Sequence, residues 1–158
     1  GLVGSEMCIR DSRKSGGQMI SKHSIVIDVF KTLGYILHSH KIWVKGTGVN
    51  DYRVNYQHIM TFSRKGAKRK PVADFKPDVF IVNQSKYKNY TYGMPVRIIE
   101  LLVNNYTDKD NIVYDPFMGS GTTAEACENT RRRWIGSEID KKYGELVKER
   151  MGLSETEL

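Results

Sequence analysis

The sequence predicts an α/β domain with a parallel sheet, and two features of its second half lead to this prediction. Residues 95–151 alternate between helix-like and strand-like hydrophobic patterns in the order helix, strand, helix, strand, helix, with short turns between them. A glycine-rich turn joins the first of these strands to the helix after it, as happens at the ligand-binding edge of open α/β sheets. The length of 158 residues suits one such domain rather than two.

The first half of the chain predicts one helix followed by two antiparallel strands. Ser21 can cap a helix that runs to about Leu33 and stops at Gly34. β-Branched and aromatic residues then predict strands at 35–44 and 56–62, which we expect to pair as a hairpin. The apolar face of the helix comprises Val26, Val29, Phe30 and Leu33.

The second half predicts three helices around two strands. Pro95 suits the first turn of a helix, where its missing N–H has no cost. Strands are predicted at 111–114 and 133–138, with a helix at 122–129 between them, and Asp140 can cap the last helix. The apolar face of that last helix comprises Tyr143, Leu146, Val147 and Met151.

The chain is basic, and its positive charge is concentrated in one segment. Lys and Arg outnumber Asp and Glu by 25 to 18, so the net charge is +7, which favours a polyanionic partner such as nucleic acid. Residues 64–90 form a basic insert that is broken by Pro71 and Pro77 and holds one short strand at 79–82. We expect the insert to leave the main sheet; a solvated loop without a partner is the alternative interpretation.

The cysteines and histidines predict neither a metal site nor a disulfide framework. Cys8 stands alone, and Cys127 lies in a helix-like run that suits a small core residue. This usage indicates a reducing compartment, so we expect a cytoplasmic protein, and no apolar stretch approaches the roughly 18 residues of a membrane span. The histidines share no ligand spacing and are expected at the surface or on the sheet: His23, His38, His40 and His58.

Residues 1–12, GLVGSEMCIRDS, differ from the rest of the chain. They show no helical or strand period and lack the pattern of a signal peptide. The string resembles translated sequencing-adapter sequence, so we expect a non-native leader followed by a partial domain at 13–158. A disordered native N-terminus is the alternative.

The segment VYDPFMGSGTT combines the features of a ligand site. Asp115 closes a strand, and Gly119 and Gly121 let the backbone approach a ligand closely. A helix begins directly afterwards, so its unpaired N–H groups and its dipole face that ligand. The lysine of a phosphate-binding loop and the third glycine of the dinucleotide fingerprint are both missing, so Asp115 favours a ligand with a positive amine over a pyrophosphate.

Glu138 supplies a second acid at the end of the next strand. It follows at roughly the 20-residue distance expected of a ribose-binding carboxylate. An amino acid joined to a ribose describes S-adenosylmethionine.

At this point the sequence resembles a known family. DPFMGSGTT is similar to the cofactor motif of the DNA amino-methyltransferases, which modify adenine N6 or cytosine N4, and IGSEID resembles their second motif. YQHIMTFS resembles their strand before the target-recognition region, and the order of motifs is that of the subgroup whose cofactor motif comes late. The resemblance implies a Rossmann-like, S-adenosylmethionine-dependent methyltransferase fold that is incomplete at the N-terminus.

The resemblance also implies roles for particular residues. Asp115 would meet the methionine amino group, Pro116 and Phe117 would lie against the cofactor, and Glu138 would hold the ribose. The methionine carboxylate would be lined by Gly119, Ser120, Gly121 and Thr122. The family usually places a Thr and a Lys before the helix at Pro95, and this chain has Tyr92 and Met94 there.

The family's catalytic motif, Asp/Asn/Ser-Pro-Pro-Tyr/Phe, is absent from these residues, because none of the four prolines are adjacent. We expect the motif upstream, and we expect the chain alone to be inactive and poorly folded. The resemblance implies a site-specific DNA methyltransferase whose basic insert lies along DNA phosphates. An RNA or small-molecule methyltransferase of the same fold, and a non-catalytic remnant that binds cofactor or DNA, are the alternatives.

Overall fold

The structure is a computed structural model that describes the backbone of residues 5–9, 14–15, 18–19, 21–46, 55–67, 77–83, 85–87 and 90–154. Side chains are described for residues 21–46, 55–67, 77–83 and 93–154. The chain folds as two compact units, one comprising Gly1–Arg69 with Lys76–Asn83 and the other Lys70–Phe75 with Gln84–Leu158. None of the helices in the described ranges combines the length and apolar character needed to cross a membrane.

The first unit contains a four-stranded mixed sheet. β4 (Tyr35–Val44) and β5 (Tyr56–Arg64) pair antiparallel, which confirms the predicted hairpin. β1 (Ser5–Ile9) pairs antiparallel with β5, and β6 (Val79–Ile81) pairs parallel with β4. The unit is completed by β2 (Lys14–Ser15), β3 (Gln18–Met19) and α1 (Lys22–Thr32).

Two strands of this sheet take places that the sequence patterns do not indicate. β1 lies inside the first twelve residues, for which the sequence shows no strand period; its pairing with β5 is supplied by backbone hydrogen bonds, which need no apolar alternation. β6 belongs to the basic insert, yet it joins the sheet instead of leaving it. Trp43 and Lys41 explain this, because the Trp43 indole donates to the Val82 carbonyl at 2.7 Å and the Lys41 ammonium lies 3.0 Å from Asp78 Oδ1.

Helix α1 packs one stripe against the buried Met60 and Phe62 of β5. That stripe comprises Val26, Ile27 and Phe30, and the Phe30 ring stacks on Phe62 with 4.4 Å between centroids. The predicted apolar face also included Val29 and Leu33, which are instead 50% and 66% exposed, because the packed stripe is rotated toward Ile27.

The second unit contains the helix–strand alternation that the sequence predicts. Its elements are β7 (Ser85–Tyr87), β8 (Tyr90–Gly93), α2 (Val96–Tyr106), β9 (Ile112–Asp115), α3 (Thr122–Thr130), β10 (Arg133–Gly136) and α4 (Lys141–Met151). β9 and β10 pair in parallel, as predicted. β7 and β8 form an antiparallel hairpin that the sequence patterns did not predict; β7 lies in the basic insert, and β8 begins at its last residue.

The helices of this unit begin and end largely where local sequence signals place them. The Asp140 carboxylate accepts the Lys142 N–H at 2.9 Å and so caps α4, as predicted, and Gly152 closes the helix with φ of 66°. The core holds Ile98 and Leu102 of α2 with Ala124 and Cys127 of α3. β10 ends at Gly136 rather than at Glu138, so Glu138 lies in the turn after the strand.

Candidate functional site

Asp115 and Glu138 meet at one edge of the parallel strand pair. Asp115 is the last residue of β9 and lies opposite Gly136, the last residue of β10. The Ser137 N–H donates to the Asp115 carbonyl at 3.0 Å, which extends the strand pairing by one bond. Glu138 follows immediately, so both carboxylates stand outside the carboxyl ends of their strands, where open α/β sheets bind ligands.

The turn between β9 and α3 depends on two glycines in the left-handed region. Gly119 has φ of 54° and Gly121 has φ of 81°, conformations that side chains disfavour. Gly121 caps the N-terminus of α3, and its N–H donates to the Met118 carbonyl at 3.0 Å. A Cβ on Gly121 would also lie 3.3 Å from Val147 of α4, so this residue must be small as well as left-handed.

Glu138 folds back over this turn and binds it. Its Oε2 accepts the Gly119 N–H at 2.7 Å, and its Oε1 accepts the Asp140 N–H at 3.0 Å. The side chain is half-buried. The Glu138 carboxylate, which the sequence assigns to the ribose, is therefore held by two backbone N–H groups, one on each of its oxygens.

Asp115 is held in the same manner by residues on its own side of the turn. Its Oδ1 accepts the Phe117 N–H at 2.9 Å, and its Oδ2 accepts the Thr123 hydroxyl at 2.6 Å. Both acids thus hydrogen-bond to the turn between them, and each oxygen is oriented by one donor. A carboxylate offers about four lone-pair sites, so acceptor capacity remains on both groups.

The turn presents different groups on its two sides. Ser120 and Thr122 are 3% and 8% exposed, so their side chains point into the protein. Phe117, two residues after Asp115, is 87% exposed. Ile139, directly after Glu138, is fully exposed. The open side therefore carries two carboxylates, a helix N-terminus and two apolar side chains.

The structure brings the predicted cofactor residues together as one turn and one neighbouring acid. Sequence reasoning missed Thr123, which orients Asp115, and Arg150, which reaches the carbonyl of Ser120 at 2.9 Å. Nothing in the sequence distinguishes Thr123 from the neighbouring Thr122. Arg150 could have been noticed, because it is a charged residue three positions after Val147 on an otherwise apolar helix face. Much of the basic insert lies outside the described residues, as do residues 47–54 and the side chain of Tyr92.

Cys127 and the histidines take structural positions. Cys127 is fully buried, as predicted, and burial raises the pKa of its thiol to about 11. His58 is buried on β5, where its Nδ1 lies 2.6 Å from His40 Nε2 and its ring stacks on His23 at 4.1 Å. Within the side chains that the structure describes, no group of three or more potential ligands is arranged to hold a metal ion.

The chain is similar to known DNA methylases. The family model described as DNA methylase matches residues 10–149. The type II methyltransferase M.MjaI of Methanocaldococcus jannaschii is 26% identical over 184 aligned positions, which cover 91% of this chain and 59% of that protein. The match covers 54% of the putative methylase YubD of Escherichia coli and 22% of the orphan methyltransferase M.BamHII of Bacillus amyloliquefaciens. The chain thus spans less than two thirds of the length of these three relatives.

Solved structures share the fold. The M1.HpyAVI–SAM complex matches with a TM-score of 0.71 and 26% identity, covering 83% of this chain and 70% of that one. The cytosine-N4-specific PvuII DNA methyltransferase matches with a TM-score of 0.77 at 16% identity, covering 96% of this chain and 64% of that one, which shows likeness of fold. The two acids and the glycine turn therefore lie in a methyltransferase fold, and the chain belongs to the N6/N4 DNA methylase family.

Proposed function

We propose that this chain supplies the S-adenosylmethionine site of an enzyme that methylates an exocyclic amine of DNA, either adenine N6 or cytosine N4. The observation that carries the proposal is that Asp115 and Glu138 lie at the same edge of the β9–β10 strand pair. Asp115 ends β9, Glu138 lies two residues beyond the end of the adjacent parallel strand β10, and both accept hydrogen bonds from the turn between β9 and α3. Membership of the DNA methylase family supports DNA as substrate over the RNA or small-molecule alternative.

The described residues fit this cofactor group by group. Asp115 would hold the methionine ammonium, and the remaining lone pairs of Glu138 would accept the ribose hydroxyls. The side chains of Ser120 and Thr122 are buried, and the N–H groups of Gly119 and Gly121 already donate to Glu138 and Met118. Within the stretch from Gly119 to Thr122, the methionine carboxylate would therefore meet the backbone N–H groups of Ser120 and Thr122 at the start of α3. Pro116 and Phe117 would lie against the cofactor, and the exposure of Phe117 leaves its ring accessible for that contact.

The transfer step needs a group that orients the target amine. A base inside a duplex must be extruded before its amine can be reached, and in the family a Pro-Pro motif grips that amine. The 158 residues contain no adjacent prolines, so they do not supply this motif. Within the described part of the second unit, β9 pairs with β10 alone and leaves Ile112 and Tyr114 half exposed, as an edge strand does.

Two measurements test the proposal. Calorimetry on the chain extended upstream should detect binding of S-adenosylmethionine, and Asp115→Asn should weaken it while the melting temperature stays within a few degrees. Tritiated-methyl transfer to DNA should require the same chain extended upstream to include the Pro-Pro motif. A folded chain that binds no cofactor would remove the proposed site, and robust transfer by the 158 residues alone would overturn our view of where catalysis resides.

A further inference from the structure

The turn between β9 and α3, residues 116–121, is called the cofactor turn below. Its buried side is covered by one helix of the same unit. α4 places two residues, one turn apart, against it. Val147 is 4% exposed and packs so closely on Gly121 that an added Cβ there would lie 3.3 Å from it. Arg150 is the other residue, and 9% of its side chain is exposed.

Arg150 connects three parts of the site's support. Its Nη1 donates to the Ser120 carbonyl at 2.9 Å, and the same nitrogen lies 3.5 Å from the hydroxyls of Ser120 and Thr122. Its Nε donates to Glu125 Oε2 at 2.5 Å, and its Nη2 also pairs with that carboxylate. The guanidinium thus ties the middle of the turn to the first turn of α3.

We infer that Arg150 is a positioning residue for the cofactor turn. It fixes the Ser120 carbonyl on the buried side, while the N–H of the same peptide, that of Gly121, donates to the Met118 carbonyl at 3.0 Å. The two bonds hold this peptide in one orientation, and with it the path of the turn into the first N–H groups of α3. A planar guanidinium donates in two directions at once, whereas a lysine ammonium acts as a single point charge. The inference rests on the proposed function for its ligand. The contacts of Arg150 with Ser120 and Glu125, called the brace below, are a property of the fold itself.

The consequence is a separation of roles around one turn. Glu138 and Asp115 hold the turn from its open side, where under the proposed function they would also face the cofactor. Arg150 holds it from the buried side, through the Ser120 carbonyl and the Glu125 carboxylate. Loss of Arg150 should therefore weaken cofactor binding without removing any group that touches the cofactor.

Hydrogen exchange resolved by mass spectrometry tests the brace without any ligand. In Arg150→Met, amides of residues 117–126 should exchange about tenfold faster, while those of β9 and β10 keep their wild-type rates. Arg150→Lys should give an intermediate rate, because it restores the charge and only one of the two contacts. Lys148→Met is the matched control, since Lys148 lies on the same helix and pairs with Glu145 at 3.1 Å.

Calorimetry with S-adenosylmethionine then tests the role. We expect about tenfold weaker binding in Arg150→Met, partial recovery in Arg150→Lys and no change in Lys148→Met. Unchanged exchange in the turn, faster exchange throughout the unit, or unchanged affinity despite a loosened turn would each overturn the inference. Faster exchange confined to the turn of a protein whose wild type binds no S-adenosylmethionine would support the brace and overturn the proposed function instead.

Discussion

Glu138 Oε2 accepts the backbone N–H of Gly119 across 2.7 Å, and this bond joins the two segments that the sequence separates by 19 positions. The same carboxylate accepts the Asp140 N–H through its other oxygen. Glu138 consequently orders the turn after β9 and the start of α4, besides facing the open side of the site.

The double role of Glu138 predicts distinct effects for two substitutions. Glu138→Ala should weaken S-adenosylmethionine binding by about 1.5–3 kcal/mol, because a charged acceptor is lost. Glu138→Gln keeps one acceptor oxygen for the Gly119 N–H and should have a smaller effect. Calorimetry measures both, with Glu145→Ala as control, since that residue is exposed on α4. Equal affinity of Glu138→Ala and wild type would remove Glu138 from the site.

Thr123 orients Asp115 through a 2.6 Å hydrogen bond, and its removal should misalign that acid. Thr123→Val keeps the side-chain shape and β-branching but loses the hydroxyl, so we expect about tenfold weaker cofactor binding. The control is Thr130→Val, in the same helix, where the hydroxyl donates to the Ala126 carbonyl. If both variants bind the cofactor alike, Asp115 does not need this orientation.

Gly136 lets Met118 pack beside the end of β10. An added Cβ would lie 1.9 Å from Met118 Cε, so Gly136→Ala should lower the free energy of unfolding by about 1–3 kcal/mol. Gly144→Ala, inside α4 with open space around it, should instead raise that free energy by about 0.5–1 kcal/mol. Urea unfolding compares them, and the cost of Gly136→Ala should shrink in a Met118→Ala background. A cost that persists there would point away from this contact.

Cys127 should be unreactive in the folded protein. Burial raises the pKa of its thiol to about 11, so the thiolate is scarce near pH 8. Because the folded pKa lies above that of an exposed thiol, the associated stability is complete below the unfolded pKa and is lost as pH rises through about 11. Labelling of Cys8→Ser with a disulfide reagent at pH 8 should be slow until urea is added. Rapid labelling without denaturant would contradict the buried position.

The basic insert makes a prediction about DNA. Neutralising Lys65, Lys68, Arg69 and Lys70 should reduce the salt dependence of DNA affinity by about one unit of log–log slope per lost phosphate contact. Fluorescence anisotropy at several salt concentrations gives the slope. The matched control neutralises four exposed lysines elsewhere: Lys22, Lys31, Lys141 and Lys142. Equal slopes in the two variants would mean that net charge, and not the insert, attracts DNA.

The sequence by itself determined the cofactor turn. The signals for it are local: two glycines stand between a strand and a helix, one acid precedes them, and another follows the next strand. The parallel pairing of β9 with β10 follows from the short helical crossover between them. Asp140 as a helix cap was equally local, because its hydrogen bond joins residues two positions apart.

Tertiary structure decided the contacts between distant segments. The hydrogen bond from Gly119 to Glu138, the brace from Arg150 to Ser120 and the return of β6 beside β4 each join residues that only chain folding brings together. The exposure of Val29 was decided in the same way, because the partner surface selects which stripe of a helix is packed. Periodicity fixes the faces that an element offers, and packing chooses among them.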